Sequence, residues 1–88
     1  MNRGEILQEA ARLTAKDRQK IYGDPRTNHC RIADLWTTYL AHEITPQQVA
    51  ICMALVKVAR LMETENLDSF VDLAAYASIA GEIATTNE

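Results

Sequence analysis

Two pairs of charged side chains lie at helical spacing in the second half of an otherwise apolar sequence. Lys57 and Arg60 are three residues apart, and Asp68 and Asp72 are four residues apart. Residues at these separations share one face of a helix. A short turn between two predicted helices brings the basic pair near the acidic pair, and Tyr76 follows Asp72 on the same face one turn later.

Two kinds of chemistry fit this charged group. In the first, the basic side chains contact phosphate oxygens while Asp68 and Asp72 bind Mg²⁺ or orient the basic groups. In the second, Lys57 or Arg60 neutralises a carboxylate in a partly buried salt-bridge network without any ligand. Asp68 also fits the N-cap position of the helix that follows. Tyr76 is either a packed core aromatic or a ring that stacks on a base.

A turn motif between the first two predicted helices offers a second place for a ligand. It consists of Tyr22, Gly23, Asp24 and Pro25. Glycine supplies the positive φ that ends a helix, aspartate is a good N-cap, and proline fits the first turn of the next helix. The same geometry exposes backbone N–H groups that attract anions. Arg18 and Asn28 flank the motif and could add donors, with a solvated surface as the alternative for each.

The elements that must position these residues are helices. The first is predicted from Gly4 to Ile21, with a break at Thr14 as one option, and the second ends near Leu40. The third has the clearest start, with Thr45 as N-cap, Pro46 in the first turn and Gln48 completing a capping box, and it runs to Met62 or Glu63. The fourth is predicted from Asp68 to Thr85. The sequence therefore predicts four helices and no strand.

Composition indicates how these helices assemble. The 88 residues are 48% hydrophobic and 24% charged, which is typical of one compact helical domain over residues 1–88. We predict an all-α, compact four-helix bundle with a central apolar helix. The third helix is apolar nearly all round, which marks a central helix or one shared with another subunit. So much apolar surface in a small domain predicts a homo-oligomer.

Charge and cysteine content narrow the classes of partner. A net charge of −3 disfavours general nucleic-acid binding, which needs a basic surface. Cys30 and Cys52 are too far apart for a zinc motif and are predicted to be reduced packing residues. Trp36, the one tryptophan, either anchors the core or stacks on a base. No apolar stretch is long enough to span a membrane, and we expect a cytoplasmic protein.

The sequence resembles a known family. It is similar to the small phage and prophage domain of unknown function that carries the YGDP motif, itself similar to the nucleotide modification associated domains. The resemblance covers almost the whole chain and rests on YGDP, on K-x-x-R and on D-x-x-x-D-x-x-x-Y. Its residues are Ile6, Leu7, Asp17, Arg18, Tyr22, Gly23, Asp24, Pro25, Asn28, Ile32, Ala33, Trp36, Ile44, Thr45, Val49, Ala50, Met53, Lys57, Ala59, Arg60, Asp68, Asp72 and Tyr76. It implies an all-α protein acting around nucleotides in phage-infected or lysogenic bacteria.

A more distant similarity is to the all-α NTP pyrophosphohydrolases of the MazG type. Those enzymes place an E-x-x-E pair and an E-x-x-D pair on adjacent helices to hold Mg²⁺ at a triphosphate. Asp68 and Asp72 resemble the second pair, while the first is missing. Glu5 and Glu9 could replace it geometrically, although their spacing also fits a solvated helix face.

Together these patterns predict a small nucleotide-binding protein of the host bacterium's cytoplasm, without an assigned catalytic residue. In the phage setting it would sequester a nucleotide second messenger of bacterial defence. Phosphates would be contacted by Arg18, Lys57 and Arg60, and the base by Tyr22, Trp36 or Tyr76. Gly23, Asp24 and Asn28 complete the predicted ligand site, and Asp68 and Asp72 the Mg²⁺ site. The alternatives are a Mg²⁺-dependent nucleotide pyrophosphohydrolase and a protein-interaction module without a small ligand.

Overall fold

The described part of the chain forms four helices. The structure, a computed structural model, describes residues 1–15 and 23–86. Within these ranges there is no strand, and the helices are α1 (Arg3–Leu13), α2 (Pro25–Leu40), α3 (Pro46–Glu63) and α4 (Leu67–Thr85). The predicted all-α class and the number of helices are confirmed.

Helix α1 begins at a capping box and ends earlier than its apolar pattern predicted. The Asn2 side chain accepts a hydrogen bond from the Glu5 backbone N–H at 2.8 Å, and the Glu5 carboxylate accepts one from the Asn2 N–H at 3.1 Å. At the other end, the Thr14 hydroxyl donates to the Ala10 carbonyl, so the break considered at Thr14 is where α1 ends. The predicted continuation to Ile21 falls on residues 16–22, outside the described ranges.

Helix α2 begins as the turn motif predicted. Gly23 has a φ of +84°, in the left-handed region that glycine enters without a Cβ clash. Asp24 is the N-cap and accepts from the Arg26 backbone N–H at 3.2 Å, while Pro25 occupies the first helical position. The helix ends at Leu40, as predicted.

Helix α3 has the predicted start and end. The Thr45 hydroxyl accepts from the Gln48 backbone N–H at 3.1 Å, and the Gln48 side chain accepts from the Thr45 N–H at 2.9 Å. This capping box satisfies two donors that the first helical turn leaves unpaired. Pro46 follows the cap, and the helix ends at Glu63.

The start of α4 differs from the prediction. Asn66, and not Asp68, is the N-cap, because the Asn66 side chain accepts from the Ser69 backbone N–H at 2.8 Å. The prediction for Asp68 as N-cap was wrong. The helix begins at Leu67, so Asp68 lies in its first turn, where its negative charge interacts favourably with the helix dipole.

Helix α4 is the central apolar helix of the described fold, because it packs against each of the other three. Its buried side chains Val71 and Ala75 join Ala10 of α1, and its Ile79 and Ala80 join Ala50 of α3. Among the described residues the buried apolar set comprises six alanines, two valines and one isoleucine. These small side chains allow close helix packing, but they bury little apolar area.

Helix α3 buries only one of its sides. Val49, Ala50 and Ala54 are buried, whereas the opposite side carries Leu55 and Met62 at 58% and 83% exposure. Its all-round apolar pattern therefore does not reflect burial all round. In the described part of the chain, no helix combines the length and apolar content needed to cross a bilayer.

Candidate functional site

An ion pair joins the middle of α3 to α4. The Lys57 ammonium lies 3.3 Å from the Asp72 carboxylate, and the exposed fractions of the two side chains are 12% and 33%. Ala50 packs with Ile79 further along, so the two helices run antiparallel, as the short turn predicted. A lysine this far buried loses much of its hydration, and Asp72 compensates part of that loss.

No second ion pair joins α3 to α4 among the described residues. Arg60 is exposed and makes no ion pair with any residue of ranges 1–15 and 23–86. Asp68 is also exposed. The predicted network of four charges is therefore one ion pair plus two solvated side chains, because both Arg60 and Asp68 lie where water competes with pairing.

A cavity of about 370 Å³ lies between α1 and the first half of α4, and we call it the α1–α4 cavity. Both carboxylates predicted to bind Mg²⁺ reach it. Its lining consists of Met1, Glu9, Arg12, Leu13, Leu67, Asp68, Val71 and Asp72. Asp72 thus contacts Lys57 and also borders the cavity, so the ion pair holds one of the cavity's carboxylates in place.

Helix α1 contributes a second charged pair to this cavity. The Arg12 Nε atom donates to the Glu9 carboxylate at 2.9 Å. The hydrogen bond that Arg12 donates to Glu9 and the negative charge of Glu9 raise the pKa of Arg12 above its ordinary value. The sequence prediction placed Glu9 on a solvated face and did not consider Arg12. Their spacing of three residues signalled the pair, but the position beside Asp68 and Asp72 depends on how α1 packs on α4.

The two predicted metal ligands, Asp68 and Asp72, border the same cavity. Within the part of the chain that the structure describes, no group of three or more histidine, cysteine, aspartate or glutamate side chains is arranged to hold a metal ion. Asp68 and Asp72 supply two carboxylates. Mg²⁺ commonly takes one or two protein carboxylates and completes its octahedron with substrate phosphates and water. Glu5 caps α1 and does not line the cavity.

The turn motif borders a different cavity. Asp24 lines an open cavity of about 550 Å³ at the N-termini of α2 and α3, together with Arg26, Thr27, Cys30, Thr45, Pro46, Gln47, Ile83 and Thr86. The Asp24 carboxylate caps α2, so it places a negative charge where an anion would sit. Gly23 and Asn28 are exposed nearby in sequence, and neither lines this cavity. Arg18 and Tyr22 lie outside the described residues.

The two predicted stacking rings in the described ranges lie apart from the α1–α4 cavity. Tyr76 is partly buried and packs against the cluster of Ala50, Ile79 and Ala80, which agrees with its interpretation as a core aromatic. Trp36 is partly buried beside an apolar groove of about 340 Å³ between α2 and α3. The predicted ligand residues are therefore distributed over three surfaces.

A buried histidine was missed by the sequence prediction. His29 is 5% exposed, its Nδ1 lies 2.7 Å from the Pro25 carbonyl, and its ring centroid is 6.2 Å from that of Tyr76. Its Nε2 is buried without a hydrogen-bond partner among the described residues. The prediction that Cys30 and Cys52 are packing residues was wrong, because both residues are exposed.

Comparison with known proteins places the chain in a family. Residues 5–84 match the family described as a domain of unknown function, DUF6378. The chain belongs to the DUF6378 family. No solved structure matches this DUF6378 chain.

Two phage proteins are similar to the DUF6378 chain. The gene 55 protein of Mycobacterium phage L5 is 43% identical over 76 residues, which cover 84% of this chain and 49% of the relative. The gene 55 protein of Mycobacterium phage D29 is 46% identical over 79 residues, which cover 89% and 52%. The chain thus spans about half the length of the curated relatives it matches. These matches support the resemblance to a small phage domain of unknown function.

Proposed function

We propose that the chain binds a nucleotide through its phosphates, with Mg²⁺, at the α1–α4 cavity. The observation that carries this proposal is the position of Asp72, which pairs with the nearly buried Lys57 and lines the cavity beside Asp68. Lys57 has three N–H donors, and Asp72 is its one ion-pair partner within the described ranges. A phosphate oxygen would use the remaining donors.

The charge of the cavity argues that Mg²⁺ accompanies the phosphate. Glu9, Asp68 and Asp72 line the cavity with three carboxylates, and Arg12 is the one cation in its lining, while Lys57 contacts Asp72 from α3 without lining the cavity. A bare phosphate would be repelled by the excess of negative charge. Mg²⁺ between Asp68, Asp72 and the phosphates removes that repulsion, since it accepts oxygen ligands from both sides. We therefore expect nucleotide affinity to depend strongly on Mg²⁺.

Arg60 does not line the cavity, and we propose that its long side chain reaches the phosphates from α3 as a second donor. It is one turn from Lys57 on α3, exposed, and without an ion-pair partner in the described residues. Trp36 and Tyr76 are not part of the proposed site, because they lie at the α2–α3 groove and in the core. The similarity to phage gene 55 proteins supports a role in phage-infected bacteria. Within such a role we propose sequestration of a nucleotide signal of bacterial defence.

Mg²⁺-dependent hydrolysis of a nucleoside triphosphate is the second candidate, and the position of Glu9 favours it. This carboxylate lies on α1 and lines the same cavity as Asp68 and Asp72. Carboxylates from two helices around one cavity resemble the acids by which the MazG-type enzymes hold Mg²⁺, and Mg²⁺ can assist phosphate hydrolysis as a Lewis acid. In this candidate, Arg12 would have to share or release Glu9 when Mg²⁺ binds.

One experiment separates the two candidates. The purified protein is incubated with a panel of linear and cyclic nucleotides, with Mg²⁺ or with EDTA, and bound and free fractions are analysed by mass spectrometry. Intact nucleotide retained only with Mg²⁺ supports the binder. New mono- or diphosphate products that appear only with Mg²⁺ support the hydrolase.

Matched variants locate the site. We expect Asp72→Asn to abolish Mg²⁺-dependent retention, because it removes a carboxylate that both orients Lys57 and faces the cavity. Asp34→Asn removes the same charge from an exposed position on α2 and should leave retention unchanged. A ligand at 100 times its dissociation constant stabilises the fold by about 2.7 kcal/mol, so the thermal midpoint provides a second readout. Failure of every nucleotide to be retained or to raise this midpoint contradicts the proposal and leaves an interaction module.

A further inference from the structure

We propose that the outer face of α3 is the contact surface of a two-fold symmetric dimer of this chain. We define this outer face by seven exposed apolar or weakly polar side chains: Ile51, Cys52, Leu55, Val56, Val58, Ala59 and Met62. None of them is charged. The partner is a second copy, with its α3 antiparallel to the first.

The spacing along the outer face is that of a helix-pairing surface. Ile51, Leu55, Val58 and Met62 follow one another at intervals of four, three and four residues, and their exposed fractions are 46%, 58%, 39% and 83%. Apolar residues at alternating intervals of three and four form the seam by which two helices interdigitate. Ala59 lies within this seam and its small side chain permits close approach of a second helix.

The two ends of the outer face are complementary to each other. At the N-terminal end, the apolar groove of about 340 Å³ is lined by Trp36, Leu40, Ile44, Gln47, Gln48, Ile51 and Cys52. At the C-terminal end, Met62 projects into solvent. Ile51 and Met62 are about 16 Å apart along the helix. An antiparallel two-fold arrangement brings Met62 of each copy to the groove of the other, whereas a parallel arrangement brings groove to groove.

The chain exposes more surface area than a compact monomer of its mass, as expected if one surface is buried in a dimer. The chain exposes 6,422 Å². A compact monomer of 9.9 kDa is expected to expose about 5,200 Å². The difference of about 1,200 Å² exceeds the roughly 800 Å² per partner that a standard protein interface removes. The alanine-rich core described above has the same implication, because little of the chain's apolar surface is buried within one copy.

This dimer surface is separate from the proposed nucleotide site. Lys57 points towards α4, where it meets Asp72, while Leu55 and Ala59 lie on the opposite side of α3. Loss of the dimer therefore leaves the cavity's charged residues in place. The two proposals can fail independently.

The first test measures mass in solution. Light scattering during size-exclusion chromatography, at about 1 to 200 µM protein, covers the weak end of affinities for interfaces of this size. We expect about 20 kDa, twice the chain mass of 9.9 kDa. Leu55→Glu should raise the dimer dissociation constant at least about 100-fold, because it places a charge in an apolar contact. Leu7→Glu is the matched control: Leu7 is 63% exposed on α1, and the dimer should persist.

Circular dichroism of both variants establishes that they remain helical. If Leu55→Glu does not fold, Ala59→Gln serves in its place, since this position is exposed and the larger side chain blocks only close helix approach. A 9.9 kDa species at every concentration overturns the proposal. A dimer that a folded Leu55→Glu or Ala59→Gln variant leaves intact also overturns it.

The second test reads the direction of the two helices. In a Cys30→Ser background, Met62→Cys places a thiol at one end of the outer face while native Cys52 lies near the other. The antiparallel dimer predicts a disulfide-linked dimer on mild oxidation that disappears when Cys52→Ser is added. Crosslinking that survives Cys52→Ser joins two copies of the introduced thiol and overturns the antiparallel arrangement.

Discussion

The two sides of α3 have similar apolar content and different surroundings. The inner side carries Val49, Ala50 and Ala54 against α4, and its one charged residue, Lys57, is paired with Asp72. The outer face is also apolar, yet Leu55 and Met62 are more than half exposed. Apolar composition therefore does not tell which side of this helix is buried within one chain. The difference lies in side-chain size, because the inner side uses small residues that let α4 approach closely.

The largest predicted effect is a difference in unfolding free energy when alanine is replaced by glutamate on the inner and on the outer side of α3. Ala50→Glu should lower the free energy of unfolding by at least about 4 kcal/mol, because Ala50 is fully buried and a glutamate there would lack any partner. Ala59→Glu should change it by less than about 0.5 kcal/mol, because the side chain reaches water. Urea unfolding followed by circular dichroism measures both.

Both substitutions are made in a Leu55→Gln chain, whose polar amide weakens self-association without adding a charge one helical turn from position 59. Equal costs at the two positions would contradict the assignment of inner and outer sides. A costly Ala59→Glu with a tolerated Ala50→Glu would reverse it.

The next effect concerns the ion pair on the inner side. Asp72→Asn should cost about 1–2 kcal/mol, below the range for fully buried pairs, because one-third of the Asp72 side chain is exposed. Lys57→Met should cost less, since an exposed part of Asp72 regains hydration. A double-mutant cycle between the two positions should give a coupling of about 1 kcal/mol in unfolding free energy. A coupling near zero would show that the charges act independently.

A smaller effect distinguishes two neighbouring polar residues at the start of α4. Asn66→Ala should cost about 1 kcal/mol, because it removes the acceptor that caps Ser69. Asp68→Ala should cost about 0.3–0.5 kcal/mol, since only its interaction with the helix dipole is lost. Thermal unfolding of the two variants compares them. The reverse order would restore Asp68 as the cap and weaken its proposed role in binding Mg²⁺.

The smallest effect on stability is expected for Arg60→Gln, at less than about 0.5 kcal/mol, because Arg60 is exposed and unpaired within the described residues. The affinity of the Arg60→Gln variant for the Mg²⁺–nucleotide should nevertheless fall about tenfold, because one charged hydrogen bond is lost. Isothermal titration calorimetry measures this, with the exposed Arg31→Gln on α2 as control. Equal affinities of the two variants would remove Arg60 from the proposed site.

Local sequence signals predicted the helix boundaries more accurately than they predicted the contacts between helices. Thr45 with Gln48, and Gly23 with Asp24, specify helix ends through hydrogen bonds and φ angles within a few residues. The N-cap of α4 was misplaced because two good capping residues, Asn66 and Asp68, lie two positions apart. A choice between them depends on the length of the preceding turn and on how α4 meets α3.

Only part of the candidate site was predicted, because only that part depends on residues close in sequence. The meeting of Lys57 with Asp72 follows from spacing and a short turn. The presence of Glu9 and Arg12 beside Asp68 does not, because it requires the packing of α1 on α4 across more than fifty residues of sequence. His29 was missed because a single histidine has no sequence periodicity that reveals burial.

The sequence by itself determined an all-α chain, the caps that start α2 and α3, and the facing charges of α3 and α4. Each depends on residues close in sequence, whose hydrogen bonds and helical spacing are read directly from the chain. Only the tertiary structure decided that α4 is central, that one side of α3 stays exposed, and that α1 completes the charged cavity. A helix that is apolar on every side can bury any of its sides, so the contacts of the whole fold determine which side faces the core.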